Sequence, residues 1–251
     1  MANYGPFTTG RLYAGGFDFT GNLREMSVQY GAEMLDATVF GQTTKVNQAG
    51  LRTITATASG FADFTLLGQD PTAFNYIGLS TVPVALAIPA SSGGTLAEAD
   101  RALFFQASLA SYQLGGAHGA ILPFSFQAQS GASGDPLIRG YVAETGLTQR
   151  SAGGNGTGSN SLGALSAAET LFAALFVSQS SGGNLVVTLQ SDDAADFVGA
   201  ATRITFTTAT AQTYQYATPI TGAITDTYWR ALWTLSAGTA TFALVYGKGT
   251  L

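Results

Sequence analysis

The chain has one histidine, His118, set in the turn-forming stretch Gly115-Gly116-Ala117-His118-Gly119. A triad or a metal centre built on it needs partners at complementary positions, and no spacing in the sequence supplies them. Serines are plentiful, but Gly-x-Ser-x-Gly does not occur, and with no second histidine to act as base a hydrolase of that type has no support. Asp192, Asp193 and Asp196 form the densest acidic cluster, just beyond a strand that ends at Ser191. Loop carboxylates can bind a hard cation such as Ca²⁺, yet the spacing is not that of an EF-hand, and solvated loop aspartates account for the cluster. Gly153-Gly154-Asn155-Gly156-Thr157-Gly158 has the glycine content of a phosphate-binding loop. Such loops work between a strand and a helix; here connector residues flank the glycines on both sides and no lysine accompanies them. Asn155-Gly156-Thr157 also fits a glycosylation sequon, which means little without secretion. Tyr214, Tyr216, Tyr228 and Trp229 would suit a sugar-binding platform, with core packing and subunit contacts as the plainer use of these aromatics. The expectation is a protein that is not an enzyme and uses no metal or cofactor.

Composition points elsewhere. Only 10% of the 251 residues are charged, against about a quarter in an ordinary soluble domain. So little charge covers a lone monomer poorly, and the simplest resolution is that much of the surface faces copies of itself. The hydrophobic share is 46%, so the low charge is not a sign of disorder. Net charge is −5, and the ten Lys and Arg residues are scattered singly from Arg11 to Lys248. A protein that grips nucleic acid gathers cations on one face; this one does not. The absence of cysteine excludes disulfides and thiolate-ligated zinc. No apolar run approaches the roughly 20 residues that span a bilayer, and Met-Ala-Asn-Tyr-Gly-Pro has no secretory character. The expectation is a chain made in a cytoplasm and soluble until it meets partners.

The elements that carry these residues read as short strands. Residues 1–22 form an arm rich in Gly, Thr and aromatics (Tyr4, Phe7, Tyr13, Phe17, Phe19) that docks on the body or on a neighbouring subunit. Leu23 to Tyr30 alternates as a half-buried strand. Gly31 and Ala32 read as a turn into Glu33 to Phe40, followed by a polar loop from Gly41 to Gly50. In Leu51 to Ser59, Leu51, Thr53, Thr55, Thr57 and Ser59 face one way, and Arg52, Ile54, Ala56 and Ala58 the other. Gly78 to Pro89 is extended and broken by Pro83, hence an edge or bent strand. Thr95 and Glu98 form a capping box that predicts a short helix over Thr95 to Ala102. Strands are predicted at Leu103 to Leu114, Ala120 to Gln129 and Leu137 to Glu144.

Residues 146–164 are Gly/Ser/Asn-rich and read as a linker. The division is thus an arm (1–22), a first β domain (23–145), the linker (146–164) and a second β-sandwich domain (165–251). The second contains strands at Leu171 to Gln179, Leu185 to Ser191, Arg203 to Thr208, Tyr214 to Tyr216, Thr227 to Leu235 and Thr239 to Tyr246. Trp229 and Trp233 fall on one side of their strand and should anchor a core. The fold class is all-β, sandwich or barrel, with one short helix.

One region carries a family likeness. It runs from Leu23-Arg24-Glu25-Met26-Ser27-Val28 through Leu35-Asp36-Ala37-Thr38-Val39-Phe40-Gly41 to Ala49-Gly50-Leu51-Arg52-Thr53-Ile54-Thr55-Ala56-Thr57-Ala58-Ser59-Gly60-Phe61-Ala62-Asp63. This pattern resembles the tail tube (major tail) proteins of long-tailed bacteriophages. Its parts are a strand, an L-D-x-T-x-F-G turn, a Gly-Leu, a Thr/Ser-alternating strand and a Gly-aromatic-x-Asp close. Phe104 to Tyr112 and Phe124 to Gly131 look like returning strands of the same fold, and the likeness covers about residues 20–145.

The resemblance implies a tail-tube-like first domain whose sheets wall a hollow tube of stacked rings in a virion tail. Its partners would be identical subunits and other tail proteins, with DNA only a transient passenger in the lumen and no membrane. A channel that lets DNA slide should lack cations that hold phosphates, and the acidic balance is consistent with that. Glu33, Asp36, Arg52 and Asp63 are rare charges within the matching stretch and are expected near subunit interfaces or the lumen. Two other classes compete. One is another virion part, such as a head decoration or a carbohydrate-binding tail-tip protein; the other is a β-sandwich hydrolase or lyase, for which the carboxylates at 192–196 are the nearest thing to a pair.

Overall fold

The computed structural model describes residues 9–65, 68–90, 94–119 and 121–250. Within them the chain is all-β apart from one helix and a 3₁₀ turn at Thr20–Asn22. In chain order the elements are β1 (Arg11–Ala14), β2 (Phe17–Asp18), β3 (Leu23–Asp36), β4 (Asn47–Phe61), α1 (Gln69–Tyr76), β5 (Val82–Ile88), β6 (Arg101–Leu114), β7 (Pro123–Ser130) and β8 (Ile138–Thr145). There follow β9 (Gly154–Asn155), β10 (Thr170–Ser181), β11 (Leu185–Asp192), β12 (Ala201–Thr205), β13 (Thr213–Tyr216), β14 (Ile220–Thr221), β15 (Tyr228–Leu235) and β16 (Thr239–Gly249).

A long antiparallel path, β13-β10-β16-β8-β6-β5-β1-β2, forms the centre. It curls on itself, because Tyr13 of β1 and Phe176 of β10 lie near opposite ends of the path yet bring their rings to 5.5 Å. The inner face holds Tyr13, Phe104, Ile138, Phe172 and Phe176. A four-stranded sheet, β12-β11-β15-β9, covers one outer side and encloses Leu171, Leu175, Trp229, Trp233 and Phe242. β10 is therefore buried on both faces, with Phe172 and Phe176 turned one way and Leu171 and Leu175 the other, which is why its sequence is a continuous apolar run. The other outer side, on β1, β5 and β6, is covered by β4, β7 and α1 over Val84, Phe105, Ile54, Ala56, Phe124 and Phe126.

β6 is the junction. Its first half pairs with β5 on one edge and β8 on the other, whereas from Ala107 to Leu114 it pairs with β7. β7 leads to β4 and β3; β8 leads to β16 and β10. β8 and β16 stand on either side of residues 146–164 in sequence and are hydrogen-bonded neighbours. Those intervening residues run along β15: Gly154 and Asn155 pair with Trp233 and Leu232, and the two indoles donate to the Ala152 and Gly163 carbonyls (3.1 and 3.0 Å).

Three local expectations are corrected. Thr95 to Ala102 is not helical. The Ala97 N–H donates to Asp100 Oδ2 (2.7 Å) and Glu98 accepts from Thr157 N–H (2.6 Å), so both groups that would close a first helical turn serve other partners. The one helix, over Gln69–Tyr76, has little amphipathic pattern to announce it. Gly31 and Ala32 do not turn: β3 runs on for 14 residues, because they pair with Thr53 and Arg52 of β4. Finally β5 is internal. Pro83 is tolerated there because β1 ends opposite Val84, leaving only the Pro83 carbonyl in use on that side, as acceptor for Gly15 N–H. Of the arm, β1 pairs with β5 and β2 with β1, and Tyr13 and Phe19 are buried, while Tyr4 and Phe7 lie outside the described residues.

Candidate assembly surface

The four strands β3, β4, β7 and the second half of β6 form one sheet with two unlike faces. Alternation along β4 turns Ile54, Ala56 and Ala58 inward, where Met26, Val28, Phe124, Phe126 and Ala128 meet them. The outward positions align in three cross-strand rows: Gln29, Thr55, Gln129 and Ser108; Ser27, Thr57, Gln127 and Ser111; and Glu25, Ser59, Ser125 and Gln113. Ser27 and Thr57 share a hydroxyl hydrogen bond of 2.7 Å across two of the strands. Within these rows Glu25 is the one ionisable group; every other position is Ser, Thr or Gln. Hydroxyls and amides hydrate readily but give a phosphate backbone no cation to hold.

Both margins of this sheet are open. β3 pairs with β4 alone, so its outer edge has no strand partner among the described residues. On β6, pairing with β5 stops at Ala107. The Leu109 N–H and carbonyl are taken by Leu79 and Gly78, and Ala110 to Leu114 have no strand on that side among the described residues. The four strands alternate in direction, so β3 of one copy and β6 of another would meet antiparallel. Unpaired strand edges are a template for joining another chain.

The β3–β4 hairpin outruns this sheet. β7 reaches only to Thr55, while β3–β4 pairs continue from Gly31–Thr53 to Asp36–Asn47. At its tip the L-D-x-T motif explains itself. The Thr38 hydroxyl and N–H donate to Asp36 Oδ1 (2.6 and 3.0 Å), and Thr38 Oγ1 accepts Val46 N–H (2.9 Å). Those Thr38 hydrogen bonds hold the Asp36 carboxyl below the usual carboxylate range, and Lys45 lies 3.4 Å away. The loop so fixed presents Val39 and Phe40 to solvent, Phe40 completely; Met34, Leu35 and Leu51 are exposed farther back along the hairpin. At the other end of β4 the Gly-aromatic-x-Asp close has its own logic. A Cβ on Gly60 would collide with the Asn22 carbonyl, and Asp63, lowered by Thr65 N–H (3.0 Å), orders the turn. Around that turn Phe61, Phe64, Ile121 and Leu122 are exposed.

Of the charges singled out from sequence, Glu33, Asp36 and Arg52 come together on the projecting hairpin, with Arg52 Nη1 donating to the Tyr30 hydroxyl (3.3 Å). Asp63 lies at the far end of β4. Tyr214, Tyr216, Tyr228 and Trp229 do not make one platform. Trp229 is 1% exposed and packs on Tyr246; Tyr214 packs on Tyr76, and Tyr216 on Phe104. His118 is exposed in the β6–β7 connection. Asp192 spends its oxygens on Ala194 and Gly199 N–H groups (both 3.1 Å), which lower its carboxyl, while Asp193 beside it is raised by that neighbour. Among the described residues no group of three or more His, Cys, Asp and Glu is placed to hold a metal ion.

Sequence reasoning passed over the apolar tip and base and the uncharged face. Alternation on β3 and β4 set Ser27, Thr55, Thr57 and Ser59 on common faces of their strands; that these faces turn outward together with Gln127, Gln129 and Ser111 depends on register, which the sequence does not print.

No family model and no curated protein matches the sequence. Among solved structures the chain is similar to the tail of an empty gene transfer agent particle with C6 symmetry, at 14% identity over 52% of this chain and 96% of that one, TM-score 0.37. It is similar to a sheath/tube terminator of an extracellular contractile injection system, at 11% identity over 53% and 94%, TM-score 0.40. It is also similar to the SPP1 Dit protein, described as a paradigm of the hub adsorption apparatus in phages infecting Gram-positive hosts, at 13% identity over 96% and 99%, TM-score 0.37.

Proposed function

We infer that this chain is a structural subunit of a phage-type tail whose copies join side by side into a ring around a channel for the genome. One observation carries the reading: a four-stranded face with almost no ionisable groups, bounded on both sides by open, oppositely running strand edges. Joining β3 of each copy to β6 of the next closes the sheet with four strands per copy. Closed barrels of roughly 16–18 strands already enclose an aqueous channel, and a lumen that admits duplex DNA needs more strands, hence more than four copies. The inner wall is then the Ser/Thr/Gln face, with Glu25 adding negative charge, and DNA passes without being held. The tail-tube motif lies on these strands, and the low charge of the whole chain fits a surface hidden against neighbours. In this reading the four-stranded sheet β12-β11-β15-β9 lies away from the channel on the far side of the curled centre.

Amide hydrogen exchange at low and high protein concentration tests the joint. Slowed exchange confined to the outer amides of β3 and to Ala110–Leu114 at high concentration supports it. Unchanged exchange at both edges, in material that has become oligomeric, would place the contact elsewhere and refute it.

A further inference from the structure

The following rests on the ring reading above: β3 of one copy lies along β6 of the next, and something in the chain must fix their register. Side-chain chemistry does not fix it. The outward rows are Ser, Thr and Gln apart from Glu25, and a slip of two residues keeps every side chain on its own face. Nor do the lengths match. β3 pairs regularly over the eight residues 25–32, between bulges at Arg24 and Glu33, whereas the free edge of β6 is the five residues 110–114. The shorter edge fits along the longer in more than one alignment.

A strap over β6 removes that freedom. Beyond α1 the chain turns at Gly78, whose φ of +84° favours glycine, and residues 77–79 lie against the β6 edge. The Gly78 N–H donates to the Leu109 carbonyl and the Leu109 N–H to the Leu79 carbonyl, both at 3.1 Å. Three ties hold the strap. The Leu79 N–H donates to the Tyr76 carbonyl (3.1 Å), the Gly16 N–H to the Tyr76 hydroxyl (3.1 Å), and the Tyr112 hydroxyl to Asp70 of α1. An incoming strand can pair from Ala110 onward, but beside Leu109 it must leave the sheet plane. β3 bends of itself at the Glu33 bulge, because an extra residue there kinks the strand.

We propose that residues 77–79 set the register of the ring joint by meeting β3 at that bulge. Ala32 then lies beside Ala110, Tyr30 beside Tyr112 and Val28 beside Leu114 on the core side, with Gln29 opposite Gln113 in the outward row. A two-residue slip one way drives the straight run at Gly31 and Ala32 into the strap. A slip the other way puts the bend on the free edge and breaks its pairing. Because strand stagger and strand number together fix a barrel's diameter, the strap governs the width of the channel as well.

The chain has no cysteine, so introduced thiols report register without background. In the proposed alignment Gln29→Cys and Gln113→Cys stand directly opposite. Ser27→Cys and Gln113→Cys are a diagonal pair about 7–8 Å apart, beyond disulfide reach. Each full-length double variant is oxidised mildly while it assembles, with and without Gly78→Val, and rings are followed by negative-stain microscopy. A valine Cβ at Gly78 meets open space, so its effect is backbone strain that loosens the strap; Asp70→Ala, which unties α1 from Tyr112, serves as a second strap variant. The expected result is a ladder of covalent multimers from the opposite pair alone. Loosening the strap should bring in a ladder from the diagonal pair and rings of more than one diameter. Rings that cross-link equally through both pairs, through the diagonal pair alone or through neither would overturn the register while leaving the ring reading intact. So would rings whose diameter and cross-links are unmoved by both strap variants. Neither ladder nor rings would overturn the ring reading and the strap's role with it.

Discussion

The two halves of the chain treat their apolar side chains in opposite ways. Of the sixteen large apolar residues exposed among the described residues, fifteen fall between Tyr30 and Leu122; the second half contributes Val198 alone. There, outward positions are occupied. Arg230 lies over the Phe197 ring at 4.3 Å and donates to Gln190 (3.0 Å), and Arg150 lies over Trp233 at 4.8 Å while pairing with buried Glu144 (2.8 Å). The second half is finished as a monomer, with sheet packed on sheet and its indoles hydrogen-bonded. The first half leaves strand edges, a projecting tip and an apolar base without partners among the described residues. On the proposed reading, contacts that protect a fold and contacts that await a copy are segregated in one chain.

Substitutions in the second half should break folding, and those in the first should break assembly while sparing the fold. The largest effect on stability is expected from Trp229→Ala, which empties the centre of the sandwich and should cost about 3–5 kcal/mol by denaturant unfolding. Arg150→Ala strands the Glu144 carboxylate, 2% exposed, in the interior. Removing one partner of a buried pair costs about 3–5 kcal/mol, and the lower end is expected because the Arg150 side chain is 30% exposed. Gly60→Ala lies at the boundary of the two behaviours. Its methyl must displace the Asn22 backbone, so a loss of about 1–3 kcal/mol, typical of overpacking, should accompany a shifted hairpin. Phe40→Ser, in contrast, should change unfolding by no more than about 0.5 kcal/mol, as surface changes do, yet shorten or abolish stacks seen by microscopy.

The smallest effect is on pH. Asp36 is held below the ordinary carboxylate value by Thr38, so the order it lends the tip is complete above about pH 4 and is lost as pH falls through the lowered value. Exchange of the Val46 amide should therefore accelerate only in acid, while amides of β15 remain protected there.

The same contrast decides what the sequence made legible. Strands with one wet face, such as β4, and strands buried on both, such as β10, announce themselves through alternation or an unbroken apolar run. The L-D-x-T turn and the Gly-aromatic-x-Asp close were readable as motifs because their hydrogen bonds are local. The helix expected at Thr95 failed since Asp100 and Glu98 serve Ala97, Ala90 and Thr157 rather than a first turn. Gly31 looked like a turn because its strand character comes wholly from the β4 ladder. The candidate surface is a product of register between two strand pairs distant in sequence, β3–β4 and β6–β7, and no window of residues contains it.

The central claim is that the first half of this chain is completed by copies of itself. Sedimentation velocity of the purified full-length protein over rising concentration, with negative-stain images of the same samples, tests it most directly. Closed rings or open-ended stacks that grow with concentration are predicted. A single 25.7 kDa species that persists at the highest concentration reached, with no annular particles in the images, would contradict it.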